Sequence, residues 1–347
     1  MPQRSFPALL NLGGLAAGLL LGGAGAAQGQ DVYFSQPFAT RLHSNPAFTG
    51  LLDDYSATLS YRNQLPLLAG AFVSTQLAAD ARLNTRGRHH ALGLLVNQDR
   101  SGAVGYTRFE AGALYAYHTR LTPQLALAGG LRASYGRQRV GYDNFLFGDQ
   151  VLEDGRVAGP TAESLDFPPA SYLSLGTGAV LYTDAAWLSL AGQHLNQPSL
   201  GFRHQSALPI GFTISGGYKF FVAKPGPGIA TRELSYTPVA AYTRQGGSQR
   251  LETGLYVTAS PVTLGAVFRN ILGSGGVGTQ QVLAVVAGVQ AGGLRLGYSY
   301  DVGLSRLSQE LGGAHELTLG LRAFDQIENA YRRLKRRVYP VAPCPAF

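Results

Sequence analysis

Seven histidines, one cysteine and twenty acidic residues are the material for catalysis or metal binding in this 347-residue chain. A nucleophile needs a base and an orienting group beside it. Neither a Gly-x-Ser-x-Gly turn nor a His-Glu-x-x-His pair occurs, and His315-Glu316 lacks the second histidine. His89-His90 falls at the start of an alternating segment, where a solvated or interfacial role outweighs metal binding. His194 stands near Asn196 and Gln197. A lipid hydrolase would have to complete that group with a serine from elsewhere, and the sequence singles out none. Cys344 alone builds neither a zinc site nor an internal disulfide. The glycine-rich run 273–278 precedes no helix, so a loop is a better reading than a phosphate cradle. The expectation is a non-enzymatic chain without metal or cofactor.

What remains is charge, and charge sits on one side of regular segments. Arg62, Glu110, Arg132, Lys219, Glu252, Arg269, Arg295, Asp301, Glu316 and Arg322 all fall on polar faces of alternating stretches. In "YSATLSYRN", Tyr55, Ala57, Leu59 and Tyr61 oppose Ser56, Thr58, Ser60 and Arg62. "FTISGGYKF", "LRLGYSYD" and "HELTLGLRA" repeat the pattern. Period two means strands. A polar face opposite an apolar one fits a transmembrane barrel, lipid outside and polar lumen inside. A soluble sandwich alternates as well, so alternation does not decide between them.

Strand number and loop length do. The pattern predicts about fourteen antiparallel strands: 55–63, 71–83, 89–97, 106–119, 124–139, 170–183, 186–195, 209–222, 233–245, 249–260, 262–270, 281–291, 293–302 and 313–323. An even number suits a bacterial outer-membrane barrel and puts both termini on the periplasmic side. Connections at 121–123, 183–185, 260–261 and 292 are then periplasmic and tight. Those at 98–105, 140–169, 196–208, 271–280 and 303–312 are outer and longer. The turn 246–248 and the stretch 223–232 are exceptions. A barrel this wide is not filled by its own side chains, which happens near eight strands, so either a plug or a water path is required.

The ends complete the division. Residues 1–29 read as a signal peptide, with Arg4, an apolar stretch from Leu9 to Leu21 and small residues near the cut; a short membrane anchor is the alternative. Residues 30–54 keep no period, residues 55–324 are the barrel, and 325–347 form a basic periplasmic tail. The tail's arginines and Lys335 account for part of the +8 net charge and suit a solvated segment better than a nucleic-acid surface. Phe34, Phe38, Leu42 and Phe48 are apolar enough to be buried, and Asn45-Pro46 forces a turn. The segment is therefore expected to plug or brace the lumen; a periplasmic flap is the alternative. In the longest outer loop, Phe145, Leu146, Phe147, Asp149 and Gln150 are candidates for binding a partner.

Phe34-Ser35-Gln36, Asn45-Pro46-Ala47-Phe48 and Gly50, followed by Tyr61-Arg62-Asn63-Gln64 and Pro66, resemble the opening of the PorP/SprF family of Bacteroidetes outer-membrane proteins. Leu65 stands where that family carries tryptophan. Blocks such as "LGLLVNQDRSG" (92–102), "LPIGFTISGGYKF" (208–220), "GGAHELTLGLR" (312–322) and the closing "CPAF" (344–347) are similar to the family's, in its order. The resemblance implies an outer-membrane barrel of type IX protein secretion. Its implied partners are the secretion machinery, outer-membrane lipid and cargo with a type IX C-terminal domain, including gliding adhesins in some relatives. A fatty-acid-transporter-like channel for small hydrophobic solutes is the alternative.

Overall fold

The computed structural model describes residues 31–67, 71–85, 88–102, 105–141, 148–151, 156, 159, 161, 168–200, 207–223, 233–272, 279–305, 310–322 and 343–344. The expected signal peptide, Phe145, Leu146, Phe147, the run 273–278 and all of the tail except Pro343 and Cys344 lie outside the described residues.

The strands are β1 (Tyr55–Gln64), β2 (Phe72–Thr85), β3 (Arg88–Ser101), β4 (Tyr106–Arg120) and β5 (Ala126–Arg139). Then follow β6 (Ala170–Tyr182), β7 (Ala186–Gln193), β8 (Gly211–Tyr218), β9 (Phe220–Ala223) and β10 (Leu234–Gln245). The last are β11 (Ser248–Ala259), β12 (Val262–Leu272), β13 (Gln280–Ala291), β14 (Leu294–Gly303) and β15 (Ala314–Arg322). β8 and β9 both pair with β10 and are parts of one strand interrupted at Lys219. Among the described residues fourteen strands therefore form the sheet, each antiparallel to its neighbours. β1 pairs with β15 from Ser56↔Arg322 to Gln64↔Ala314, which closes the cylinder and leaves no open edge.

The side-chain distribution decides between barrel and sandwich. Leu94 is 64% exposed and Leu131 60%, whereas Arg62 is 2% and Glu316 1% exposed. Apolar side chains point out and charged ones point in, the reverse of a soluble domain. Such a surface is stable only against lipid. Aromatic residues gather toward both ends of the outer face: Tyr61, Phe72, Phe109 and Phe268 at one, Tyr55, Tyr117, Tyr218 and Tyr236 at the other. His90 stacks on Tyr115 and Tyr117 in the second group.

One rim carries the connections 121–125, 183–185, 260–261 and 292–293; the other carries 65–71, 140–169, 194–210 and 304–313. We call these the turn rim and the loop rim. Several strand ends differ from the sequence expectation by two residues or more, β3 most and β7 among the rest. β3 continues through Asp99 and Arg100, pairing Phe72↔Ser101 with β2, where a loop was expected from residue 98. Backbone pairing carries the hairpin past the apolar band, so polar side chains are no obstacle there. β7 stops at Gln193 because His194 takes a positive φ of 55°.

Candidate functional site

Residues 31–54 pack against inward-facing side chains around the cylinder. Locally the segment satisfies itself. It makes one turn of α-helix (Arg41–Ser44) and a 3-10 turn (Pro46–Phe48). Proline starts the second turn, where its missing N–H costs nothing. The Asn45 side chain accepts from the Ala47 N–H at 2.8 Å, and Thr49 Oγ1 donates to the Pro46 carbonyl at 2.7 Å. Gly50 has φ +64°, and a Cβ there would stand 2.5 Å from the Ala91 Cβ. Only glycine fits that turn and that approach.

The side chains bind the wall in three tiers. At the loop rim, Asp31 takes Arg108 Nη1 at 2.8 Å and lies 2.5 Å from His194 Nε2; its N–H donates to Gln245 Oε1 at 2.9 Å. Burial pushes the Asp31 carboxyl up, but Arg108 and His194 outweigh it and hold it well below the usual carboxylate range. Below Asp31, the Tyr33 ring lies 4.6–4.8 Å from the guanidinium carbons of Arg62, Arg250 and Arg269. Ser35 donates through its N–H to Glu316 at 2.6 Å and through its hydroxyl to Asp301 at 2.7 Å. Arg62 bridges the same two carboxylates, 2.8 Å from Asp301 and 3.3 Å from Glu316.

Nearer the turn rim, the Phe38 ring meets Trp187 and Tyr256 edge-on, with centroids 5.7 and 5.3 Å away. Asn45 Nδ2 donates to Ser189 Oγ at 2.8 Å and to the Leu190 carbonyl at 2.9 Å. At the turn rim, Arg41 pairs with Asp80 at 3.2 Å, and Asp53 accepts both Nη atoms of Arg295 at 2.7 and 3.0 Å. Burial raises the Asp53 carboxyl; the Arg295 hydrogen bonds and charge bring it below its ordinary value. His118 Nε2 lies 2.8 Å from the Thr49 carbonyl oxygen. Removing one member of such a buried pair strands its partner, a loss of about 3–5 kcal/mol.

Two of these groups, Asp31 and His194, form with Ser174 a relay familiar from hydrolases. Ser174 Oγ lies 2.7 Å from His194 Nδ1, and His194 Nε2 lies 2.5 Å from Asp31 Oδ2. Nucleophile, base and orienter are thus in line. However, Ser174 is 3% and His194 1% exposed, and neither lines a described cavity. Among the described residues both side chains are buried, and the chain of bonds ties Asp31 to β6.

Phe34 and Phe48 are 7% and 5% exposed, Leu42, Asn45 and Pro46 are buried, and Phe38 is half-buried. Asp149 is exposed and Gln150 half-exposed; they bond within their own loop, to Thr161 Oγ1 and the Gly159 carbonyl. Of the inward charges expected from alternation, Arg62, Glu110, Arg132, Lys219, Arg269, Arg295, Asp301 and Glu316 are buried, while Glu252 and Arg322 are half-buried. Pro343 and Cys344 are also buried, the cysteine among Leu42, Phe48, Leu51 and Trp187, and burial pushes its thiol up to about 12. Sequence reasoning missed Asp31, Tyr33, Arg41, Trp187 and Tyr256. Their partners lie far away along the chain; the one available signal was polar residues interleaved with buried aromatics in 31–41.

A family model described as "Type IX secretion system membrane protein PorP/SprF" matches residues 26–321. No curated protein matches the chain. Among solved structures, the chain is similar to the KdgM porin (7% identity, 77% of this chain and 99% of that one, TM-score 0.36). It is also similar to the outer membrane protein Omp33 of Acinetobacter baumannii (10% identity, 79% and 100%, TM-score 0.41). A third is CdiB of the same organism (9% identity, 78% and 60%, TM-score 0.41).

Proposed function

This chain belongs to the PorP/SprF family of type IX secretion system membrane proteins, and from that premise we propose that it is a plugged, non-enzymatic barrel that works by recognition. It is a barrel of the outer membrane and a component of type IX secretion. Its task in this reading is to support export or surface attachment of cargo with a type IX C-terminal domain. The observation that supports the reading lies in the lumen: residues 31–54 pack against inward-facing side chains and are tied to the wall at both rims. A barrel so closed is poorly built to pass solutes and well built to hold a fixed shape toward partners.

Phe34, Phe38, Leu42, Asn45, Pro46 and Phe48 act as the plug. Residues 140–169, with Phe145, Leu146, Phe147, Asp149 and Gln150, face exported cargo, and the basic part of the tail 325–347, apart from the buried Pro343 and Cys344, faces the periplasmic machine. The signal peptide is cut near residue 29, so the plug is the first part of the mature chain. Deleting 145–165 is expected to abolish cargo attachment at the cell surface while the barrel still assembles. Truncation before Asp325 is expected to remove co-purifying secretion components. Intact attachment in the first strain, or unchanged co-purification in the second, overturns the corresponding assignment.

A further inference from the structure

Residues 31–54 do not fill the lumen evenly. Their hydrogen bonds concentrate on β1, β2, β4, β6, β7, β14 and β15; on β10 they reach Gln245. The wall of β8 and β10 is lined instead by small uncharged side chains, among them Thr213, Ser215, Val239 and Thr243. Between that wall and the segment lies a cavity of about 130 Å³. This is close to the ~150 Å³ of an engineered apolar cavity that takes benzene.

Its two ends differ. Arg250 and Tyr256 both line it and stand six residues apart on one face of β11, roughly 20 Å along a strand. The space is therefore long. Toward the turn rim it ends on Phe38, Trp187 and Tyr256, with Cys344 beside them. Toward the loop rim it passes Arg250 and Thr243 and is lined beyond them by Asp31, Gly211 and Gln245.

Arg250 is the least engaged of the three guanidiniums around Tyr33. Arg62 and Arg269 each approach two carboxylates within 3.3 Å. Arg250 lies 3.7 Å from Glu252 Oε1, which already accepts from Arg269 Nε at 2.5 Å. Its one hydrogen bond among the described residues runs to Thr243 at 3.5 Å, and its buried Nε has no partner there. A guanidinium edge is a planar fork of donors that matches a carboxylate. The side chain remains 22% exposed, so part of it faces open space.

We infer that the cavity is a binding site for a straight-chain monocarboxylate of about six to eight carbons, its head on Arg250 and its tail extending along the space toward Phe38, Trp187 and Tyr256. The aromatic cluster of Phe38, Trp187 and Tyr256 caps the apolar end, so the site binds and does not conduct. The site rests on the seating of residues 31–54, which supply Phe38 and Tyr33.

Trp187 is the only tryptophan of the chain and reports on the cavity directly. The full chain, folded in an uncharged detergent, is titrated with sodium hexanoate and sodium octanoate, and with hexanamide and octanamide, to about 10 mM. The expected result is a saturable change in Trp187 emission with the acids, with the amides weaker by at least about tenfold. Arg250→Gln is expected to lose that preference while keeping the heat-modifiable gel mobility of a folded barrel. Val239→Trp, which fills the cavity, serves as the second variant if Arg250→Gln does not assemble; against its raised background, acid titration is expected to change nothing. Amides that bind as well as acids, or no saturable change with Trp187 shielded from acrylamide, overturn the site alone. A Trp187 freely quenched by acrylamide before any ligand is added shows an unseated segment and overturns both the site and the plug.

Discussion

At the scale of residues, two glycines hold the segment's place. A Cβ on Gly178 would stand 1.9 Å from Asn45 Oδ1, and one on Gly130 would stand 2.4 Å from the Ala47 nitrogen. Gly129, next in the same strand, meets nothing within 4 Å. Gly178→Ala and Gly130→Ala are therefore expected to unseat the 45–47 turn, raising acrylamide quenching of Trp187 and ion conductance in planar bilayers. Gly129→Ala is expected to behave as the parent in both measurements. Arg62 makes the complementary electrostatic case. Replacing it by glutamine strands the buried Glu316 carboxylate, while Asp301 keeps Arg269 at 3.1 Å, at a cost of about 3–5 kcal/mol, to be measured by urea unfolding in detergent. The inward position of Arg62 was legible from period two. Its partners were not: Asp301 lies 239 residues away, and no local pattern pairs residues across a closing seam.

At the scale of elements, the strands were almost fully legible, because one face must meet lipid and the other polar groups, and a one-residue slip would exchange them. The misread ends have separate causes. β3 outruns its apolar stretch because β2 stays paired with it. β8 and β9 are broken at Lys219, whose N–H donates to Ala185 O at 2.7 Å and whose Nζ pairs with Glu233 at 2.5 Å. The closing seam admits a direct test. Leu59 and Leu319 are register partners on the outer face. A Leu59→Cys, Leu319→Cys pair, on a Cys344→Ser background, is expected to form a disulfide in the assembled barrel under mild oxidant, seen as a mobility shift after denaturation. Moving one cysteine to Leu317 is expected to lower the yield sharply, and equal yields would count against this register.

At the scale of the molecule, the surface is turned inside out, and that has a measurable cost when reversed. Leu131 lies mid-strand on the outer face and is 60% exposed. Leu131→Arg is expected to cost about 2–4 kcal/mol in a bilayer, against roughly 0–1 kcal/mol for Leu121→Arg at the turn rim. Urea titration of barrels refolded into vesicles, read by heat-modifiable mobility, separates the two. Equal costs at both positions would mean that the outer face is not in lipid. The same inversion explains why so low a charged fraction, 14%, carries such a network: the charges are collected in the lumen.

The sequence by itself determined the strand pattern, the strand number, the short and long rims and the family, because each is written in local period, turn residues or ordered blocks. It also required that a barrel of this width hold something, without saying what touched what. Tertiary structure alone decided that Tyr33 sits among three arginines, that Asp31 joins Arg108 to His194, and that a cavity survives beside β8 and β10. The reason is geometric. A strand's period says which way each side chain points, but only closure of the cylinder brings chemically complementary groups from distant strands to one axis.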